Sequence, residues 1–121
     1  MGKVVDREFA IEMVKADGTL LRIVDEELKK EMSILNAAIK SDIASLQYFP
    51  AFALDSSNIA KAISKYPNSH LHFECFSEKV RSTKELMLEV INNNPLIFQT
   101  LTPELKSNND FVTEALGNEK I

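Results

Sequence analysis

Asp6-Arg7-Glu8-Phe9-Ala10-Ile11-Glu12-Met13-Val14-Lys15 is the stretch that decides the fold, because its pattern returns along the chain. It reappears as Glu31-Met32-Ser33-Ile34-Leu35-Asn36-Ala37-Ala38-Ile39-Lys40, then as Asp55-Ser56-Ser57-Asn58-Ile59-Ala60-Lys61-Ala62-Ile63. A further copy runs Thr83-Lys84-Glu85-Leu86-Met87-Leu88-Glu89-Val90-Ile91, and a truncated one opens at Asn108-Asn109-Asp110-Phe111-Val112. A period of about 25 residues marks stacked supersecondary units, each burying its apolar face only against its neighbours. The copies are 6–30, 31–54, 55–82 and 83–107, with a partial copy at 108–121. Such a stack presents a surface rather than a pocket, which directs the functional reading toward binding.

Within each copy the spacing predicts two short helices. In the first, Asp6 is an acceptable N-cap, and Phe9, Ala10, Met13 and Val14 fall on one face of a 3.6-residue period. Asp17-Gly18 ends that helix, glycine being the residue expected where the chain turns left-handed. The second helix carries Leu20, Leu21, Val24 and Leu28. The second copy matches with Ile34, Leu35, Ala38 and Ile39, then Ile43, Leu46, Tyr48 and Phe49. In the fourth, Asn92-Asn93-Asn94-Pro95 separates the helices, and Phe98, Leu101 and Leu105 form the inward stripe. Pro95 and Pro103 suit first-turn positions, where a missing N–H costs nothing.

The third copy is irregular. Aligning Leu21, Leu46, Leu71 and Phe98 shows that it holds extra residues, and it puts Glu74 where the others have Val24, Phe49 and Leu101. An insertion of this size predicts a buried stripe of Leu71, Phe73 and Phe76. The fold expected overall is all-α: short helix pairs, about nine helices, stacked into one compact helical-repeat domain over 1–121.

Composition narrows the function. The 121 residues are 45% hydrophobic and 26% charged, an ordinary globular balance. Fourteen basic against 18 acidic residues leave a net charge of -4, with no basic run longer than Lys29-Lys30, so the cationic face that nucleic acid requires is missing. The single cysteine, Cys75, cannot pair within the chain, which fits a reducing compartment. No apolar stretch approaches the length of a bilayer span, and neither an N-terminal signal sequence nor a lipidation signal at Asn118-Glu119-Lys120-Ile121 is recognisable. A cytoplasmic protein is expected, with delivery into another cell left open.

Asp6-Arg7-Glu8-Phe9, Val14-Lys15-Ala16-Asp17-Gly18, Leu21 and Glu26-Glu27-Leu28 together resemble the DUF4116 repeat. The fourth copy resembles it through Glu85-Leu86-Met87-Leu88, Asn94-Pro95, Phe98-Gln99 and Pro103-Glu104-Leu105. The resemblance covers almost the whole chain and is carried by apolar spacing. It implies membership of a group whose repeats occur in long arrays of unknown function, often in intracellular bacteria and protists, including effectors delivered into host cells. A short array of this kind also resembles the small helical regulators that such bacteria pair with their effectors. One type of regulator inhibits ubiquitin-modifying deamidase and transglutaminase effectors.

The sharpest candidate chemistry is His70, His72 and Cys75. A cysteine nucleophile needs a neighbouring base, and zinc needs at least three converging ligands. On a helix His70 and His72 point about 200° apart, and the chain offers no further histidine or cysteine to complete a metal tetrad. A partly buried cysteine with surface histidines is therefore the expectation. The run Asp25-Glu26-Glu27 reads as a solvated face, since adjacent helical residues diverge. Three glycines are too few for a phosphate-binding loop. No catalytic residue, metal or cofactor is expected.

Aromatic residues concentrate in the central copies. Interfaces favour such anchors, and residues two apart on a helix cannot both face inward. Tyr48, Phe52, Tyr66, His70, His72 and Phe76 are therefore the expected partner-binding residues. The final half-copy offers Phe111, Val112, Ala115 and Leu116 with only Gly117 to Ile121 beyond, a candidate homodimer face. The function expected is non-enzymatic protein binding, most concretely steric inhibition of a partner enzyme. A scaffolding module of a larger assembly is the alternative, and an enzyme using Cys75 ranks last.

Overall fold

A computed structural model describes residues 2–117. Its α-helices are α1 (Arg7–Ala16), α2 (Met32–Ser41), α3 (Ala51–Leu54), α4 (Ser57–Ser64), α5 (Glu78–Arg81), α6 (Lys84–Asn93), α7 (Pro103–Lys106) and α8 (Asn109–Gly117). Between them lie 3₁₀ segments at Gly18–Ile23, Leu28–Lys30, Ile43–Tyr48, Ser69–Leu71, Phe73–Cys75 and Pro95–Thr100. The fold is all-α. Among the described residues the only β-type pairing is one parallel bridge between Val4 and Val24.

The long helices open after caps at Asp6, Glu31, Ser56, Thr83 and Asn108, intervals of 25, 25, 27 and 25 residues. Three of these caps use a side-chain oxygen: Asp6 accepts from the Phe9 N–H at 3.0 Å, Ser56 from Ile59 at 3.2 Å, and Asn108 from Phe111 at 2.9 Å. Such a bond satisfies a donor the helix cannot, and is worth about 1 kcal/mol. Glu31 instead pairs with Arg7, tying the starts of α1 and α2 together.

The long helices also end in a regular way. Eleven residues after the cap stand Asp17, Asp42 and Asn94, each in extended backbone with φ of -151°, -158° and -148°. Their side-chain oxygens accept the N–H two residues on, from Thr19 at 3.0 Å, Ala44 at 2.9 Å and Leu96 at 3.1 Å. The turn so made starts a six-residue 3₁₀ helix, where an α-helix is expected from the apolar spacing. Each 3₁₀ helix closes on a buried, extended residue, Val24, Phe49 or Leu101, whose N–H returns to the carbonyl of Leu21, Leu46 or Phe98.

The third copy keeps this ending but reaches it two residues later. Phe76 is its extended closing residue, bonded back to the Phe73 carbonyl. Phe73, rather than Leu71, therefore matches Leu21, Leu46 and Phe98, and Phe76, rather than Glu74, matches Val24, Phe49 and Leu101. Phe73 and Phe76 are buried with ring centroids 4.8 Å apart, while Leu71 is 65% exposed. The expected stripe of Leu71, Phe73 and Phe76 thus holds for two of its members. Eleven residues after Ser56 comes Pro67, which has no side-chain acceptor. The chain ends α4 at Ser64 and turns through Asn68, whose φ is +65°.

The helices gather into two compact units, Met1–Ala51 and Phe52–Ile121. In the first, α1 packs on α2 and the two six-residue 3₁₀ helices pack on each other. Ala10, Val14, Leu21, Val24, Ile34, Leu35, Ala38 and Leu46 are wholly buried there. Phe9 departs from expectation. It shares a helical face with Ala10 and Val14, yet is 59% exposed, whereas its counterparts Ile34, Leu86 and Phe111 are buried. Gly18 departs as well, because no glycine has positive φ. A Cβ at Gly18 would lie 2.2 Å from the Ala38 carbonyl oxygen of α2, so the close approach of backbone to backbone demands glycine.

In the second unit, α6 packs on α4, α8 and the 3₁₀ helix after it, and α7 packs on α8. Arg81 clips two turns by donating to the Phe76 carbonyl at 3.0 Å and the Thr100 carbonyl at 3.1 Å. Pro95 and Pro103 occupy first-turn positions as expected. Phe111 and Ala115 of the last half-copy are buried, leaving Leu116 as its exposed large apolar residue. Its expected thin cap, Gly117 to Ile121, lies outside the described residues beyond Gly117.

Gly18→Ala is expected to cost about 1–3 kcal/mol by overpacking against fixed backbone, read as a lower urea midpoint. Phe76→Ala is expected to cost about 3–5 kcal/mol, and Leu71→Ala under about 0.5 kcal/mol. Equal costs at positions 71 and 76 would contradict the register of the third copy.

Candidate functional site

The two-residue excess of the third copy opens a groove. It has a volume of about 360 Å³ and is bounded by the turn after α4 and the turn after α6. Tyr66, Pro67, Asn68 and His70 line one side, and Asn93 to Leu96 the other. Leu96 is 49% exposed, and Tyr66 and His70 are half-buried.

Hydrogen bonds between the two turns hold the groove's shape. Ser64 stands eight residues after its cap, in the column that carries Val14, Ile39 and Ile91 elsewhere. Its hydroxyl donates to the Lys61 carbonyl at 2.7 Å and accepts from Asn93 Nδ2 at 2.9 Å. Asn94 Nδ2 donates to Ser69 Oγ at 3.0 Å, and Ser69 Oγ donates to the Ser64 carbonyl at 3.2 Å. Because Asn94 Oδ1 is already taken by the Leu96 N–H, the orientation of the amide is set. The 3.3 Å contact from Asn94 Nδ2 therefore reaches a His70 Nδ1 that can only accept, which makes Nε2 the N–H of that ring. Network bonds of this kind hold side chains in one geometry before any ligand arrives.

The six residues expected to bind a partner separate on the structure. Tyr66 and His70 share the groove. His72 is half-buried and does not line it, and Phe52 is 49% exposed on the same unit. Tyr48 is half-buried and belongs to the other unit. Phe76 is not a contact residue: it is 1% exposed, because the longer third copy carries it into the closing position of the 3₁₀ turn. Sequence reasoning missed Ser64, Asn68, Asn93, Asn94 and Leu96. The signal that could have found them is a serine in an apolar column facing an asparagine run.

Asp25, Glu26 and Glu27 behave as a solvated face. Glu26 pairs with Lys29 and Glu27 with Lys30, while the Asp25 carboxylate caps the Glu27 N–H. Among the described residues no group of three or more His, Cys, Asp or Glu is placed to hold a metal ion.

Helix, asparagine or aspartate turn, 3₁₀ helix and buried closing residue define an all-α repeat protein. The chain belongs to the DUF4116 family: the model described as "Domain of unknown function (DUF4116)" matches residues 6–52, 58–106 and 83–120. The first and last matches each begin at a helix cap and contain a second, so each spans a pair of copies. No curated protein matches the chain. Nor does any solved structure match it.

Cys75 is half-buried, and burial, with the Glu74 carboxylate adding to it, pushes its thiol pKa up. That suppresses thiolate at neutral pH, the opposite of what a nucleophile needs. Iodoacetamide at pH 8 is expected to alkylate Cys75 at least about threefold more slowly than free cysteine. The same shift sets a sign for stability. The unfolded thiol ionises first, so this contribution is present below its ordinary pKa and is lost as pH rises through the folded value. Cys75→Ser should therefore flatten the alkaline limb of a thermal-stability profile.

Proposed function

We propose that this chain is a non-enzymatic protein-binding regulator, in its most concrete form an inhibitor that covers the substrate-docking face of a partner enzyme. The observation that carries the reading is the groove at the third copy, where half-exposed Tyr66 and His70 face exposed Leu96 over a bonded polar floor. A surface already held in shape loses little entropy on binding, so a small patch can bind well. The raised thiol pKa of Cys75 supports a non-catalytic role. The resemblance to small helical regulators makes bacterial ubiquitin-modifying effectors the partner class to test first. On this reading the protein acts in a bacterial cytoplasm or, after delivery, in a host cell. Among the described residues no helix is long and apolar enough to cross a membrane.

A scaffolding role is the second reading, favoured by one observation. Phe9 is 59% exposed on a helix face where the later copies bury Ile34, Leu86 and Phe111, and Val5, just before that helix, is 72% exposed. A neighbouring repeat in a larger assembly would cover them.

Affinity capture with mass spectrometry, on the intact chain and on a Tyr66→Ala/Leu96→Ala variant, tests the regulator. The expected result is one stoichiometric partner enzyme whose activity falls on addition of the chain, with capture by the variant reduced about tenfold or more. Equal capture by the variant would remove the groove from the account. Absence of a specific partner would favour the scaffold.

A further inference from the structure

We infer that the third-copy groove docks an extended acidic peptide segment of the partner, one apolar side chain lying against Pro67, Pro95 and Leu96 and a flanking carboxylate meeting Lys65 and the His70 N–H. The inference rests on the protein-binding reading above and names the chemistry of that site's ligand.

The fixed charge lining the groove is of one sign, that of Lys65. The groove's internal network pairs groups within and between the two turns: Asn94 Oδ1 takes the Leu96 N–H, His70 Nδ1 and Ser69 Oγ take the Asn94 amide, and Ser64 Oγ takes Asn93. Among the donors that remain are His70 Nε2–H, the Tyr66 hydroxyl and the Lys65 ammonium, for which no internal partner is seen among the described residues. None of the lining residues is acidic, although the chain carries 18 Asp and Glu against 14 Lys and Arg. A groove with positive charge at its edge and no acidic lining suits a carboxylate and disfavours a lysine side chain. The exposed rings of Pro67 and Pro95 beside Leu96 supply an apolar seat next to that charge. An extended chain fits because the groove runs between two turns, and Asn93 and Asn68 present amides able to pair with peptide backbone.

The test is a titration of the ¹⁵N-labelled full chain, followed by amide chemical shifts. The probes are capped peptides of about nine residues in a Gly/Ser background, centred on Glu-Leu-Glu, Gln-Leu-Gln, Lys-Leu-Lys or Glu-Ser-Glu, together with free glutarate. Glu-Leu-Glu is expected to move the amides of Tyr66, Asn68, His70 and Leu96 and to bind about tenfold or more tightly than each of the others. Lys65→Glu, an exposed change outside the bonded network, is expected to reverse the order in favour of Lys-Leu-Lys. Equal binding of the acidic and basic peptides, or glutarate equal to Glu-Leu-Glu, would overturn the inference. So would the absence of shifts at these four residues up to about 5 mM peptide. If the chain still captures its partner while no peptide moves these residues, the peptide inference fails and the regulator reading stands. If capture fails as well, the regulator reading itself is lost.

Discussion

The structure depends on one short bond, made repeatedly: a side-chain oxygen at the end of α1, α2 and α6 accepts the N–H two residues later. Asp17, Asp42 and Asn94 make it in three copies. It does two things at once. It satisfies a donor at the point where the α-helical ladder runs out, and it holds the residue extended so that a tighter 3₁₀ helix starts in a fixed direction. The buried residues Leu21 and Val24, Leu46 and Phe49, and Ile97 with Leu101 all owe their inward placement to that start. Carboxylate and carboxamide serve equally, which is why the position tolerates both Asp and Asn.

In the third copy this bond is missing, and the local chain path changes accordingly. Pro67 stands where the acceptor should be, and the chain takes two more residues and a left-handed asparagine to recover the same 3₁₀ ending at Phe76. Recovering it leaves a wider connection, and the wider connection is the groove. Polar side chains replace apolar packing there: Ser64 sits in an otherwise apolar column, and Asn93 and Asn94 bridge to it and to Ser69. Site and fold thus have one origin, a local failure of the turn that the other copies share.

Much of the fold was legible in the sequence because helical periodicity and helix caps are local signals. The apolar offsets at Ala10 and Val14 or Leu35 and Ile39, and the proline positions at 95 and 103, can be read without any tertiary context. Three things were not legible. Phe9 has the spacing of a core residue, and only the absence of a covering neighbour among the described residues makes it a surface one. Leu71 and Phe73 compete for one buried place, and an insertion count cannot say on which side of Leu71 the extra residues fall. The groove itself rests on bonds between residues 25 and 29 apart in the chain, Ser69 with Asn94 and Ser64 with Asn93. Of the expected contact residues, Tyr66 and His70 come together there, and Phe76 was misplaced by the same register ambiguity that affected Leu71.

The central claim is that the longer third copy, not the regular copies, forms the working surface of this protein. Hydrogen–deuterium exchange of the chain alone and with a captured partner addresses it most directly. The account predicts that partner binding slows exchange chiefly in 64–71 and 92–97, with α1 and α2 unchanged. Protection confined to α1 and α2, with the groove segments exchanging as in the free chain, would contradict it.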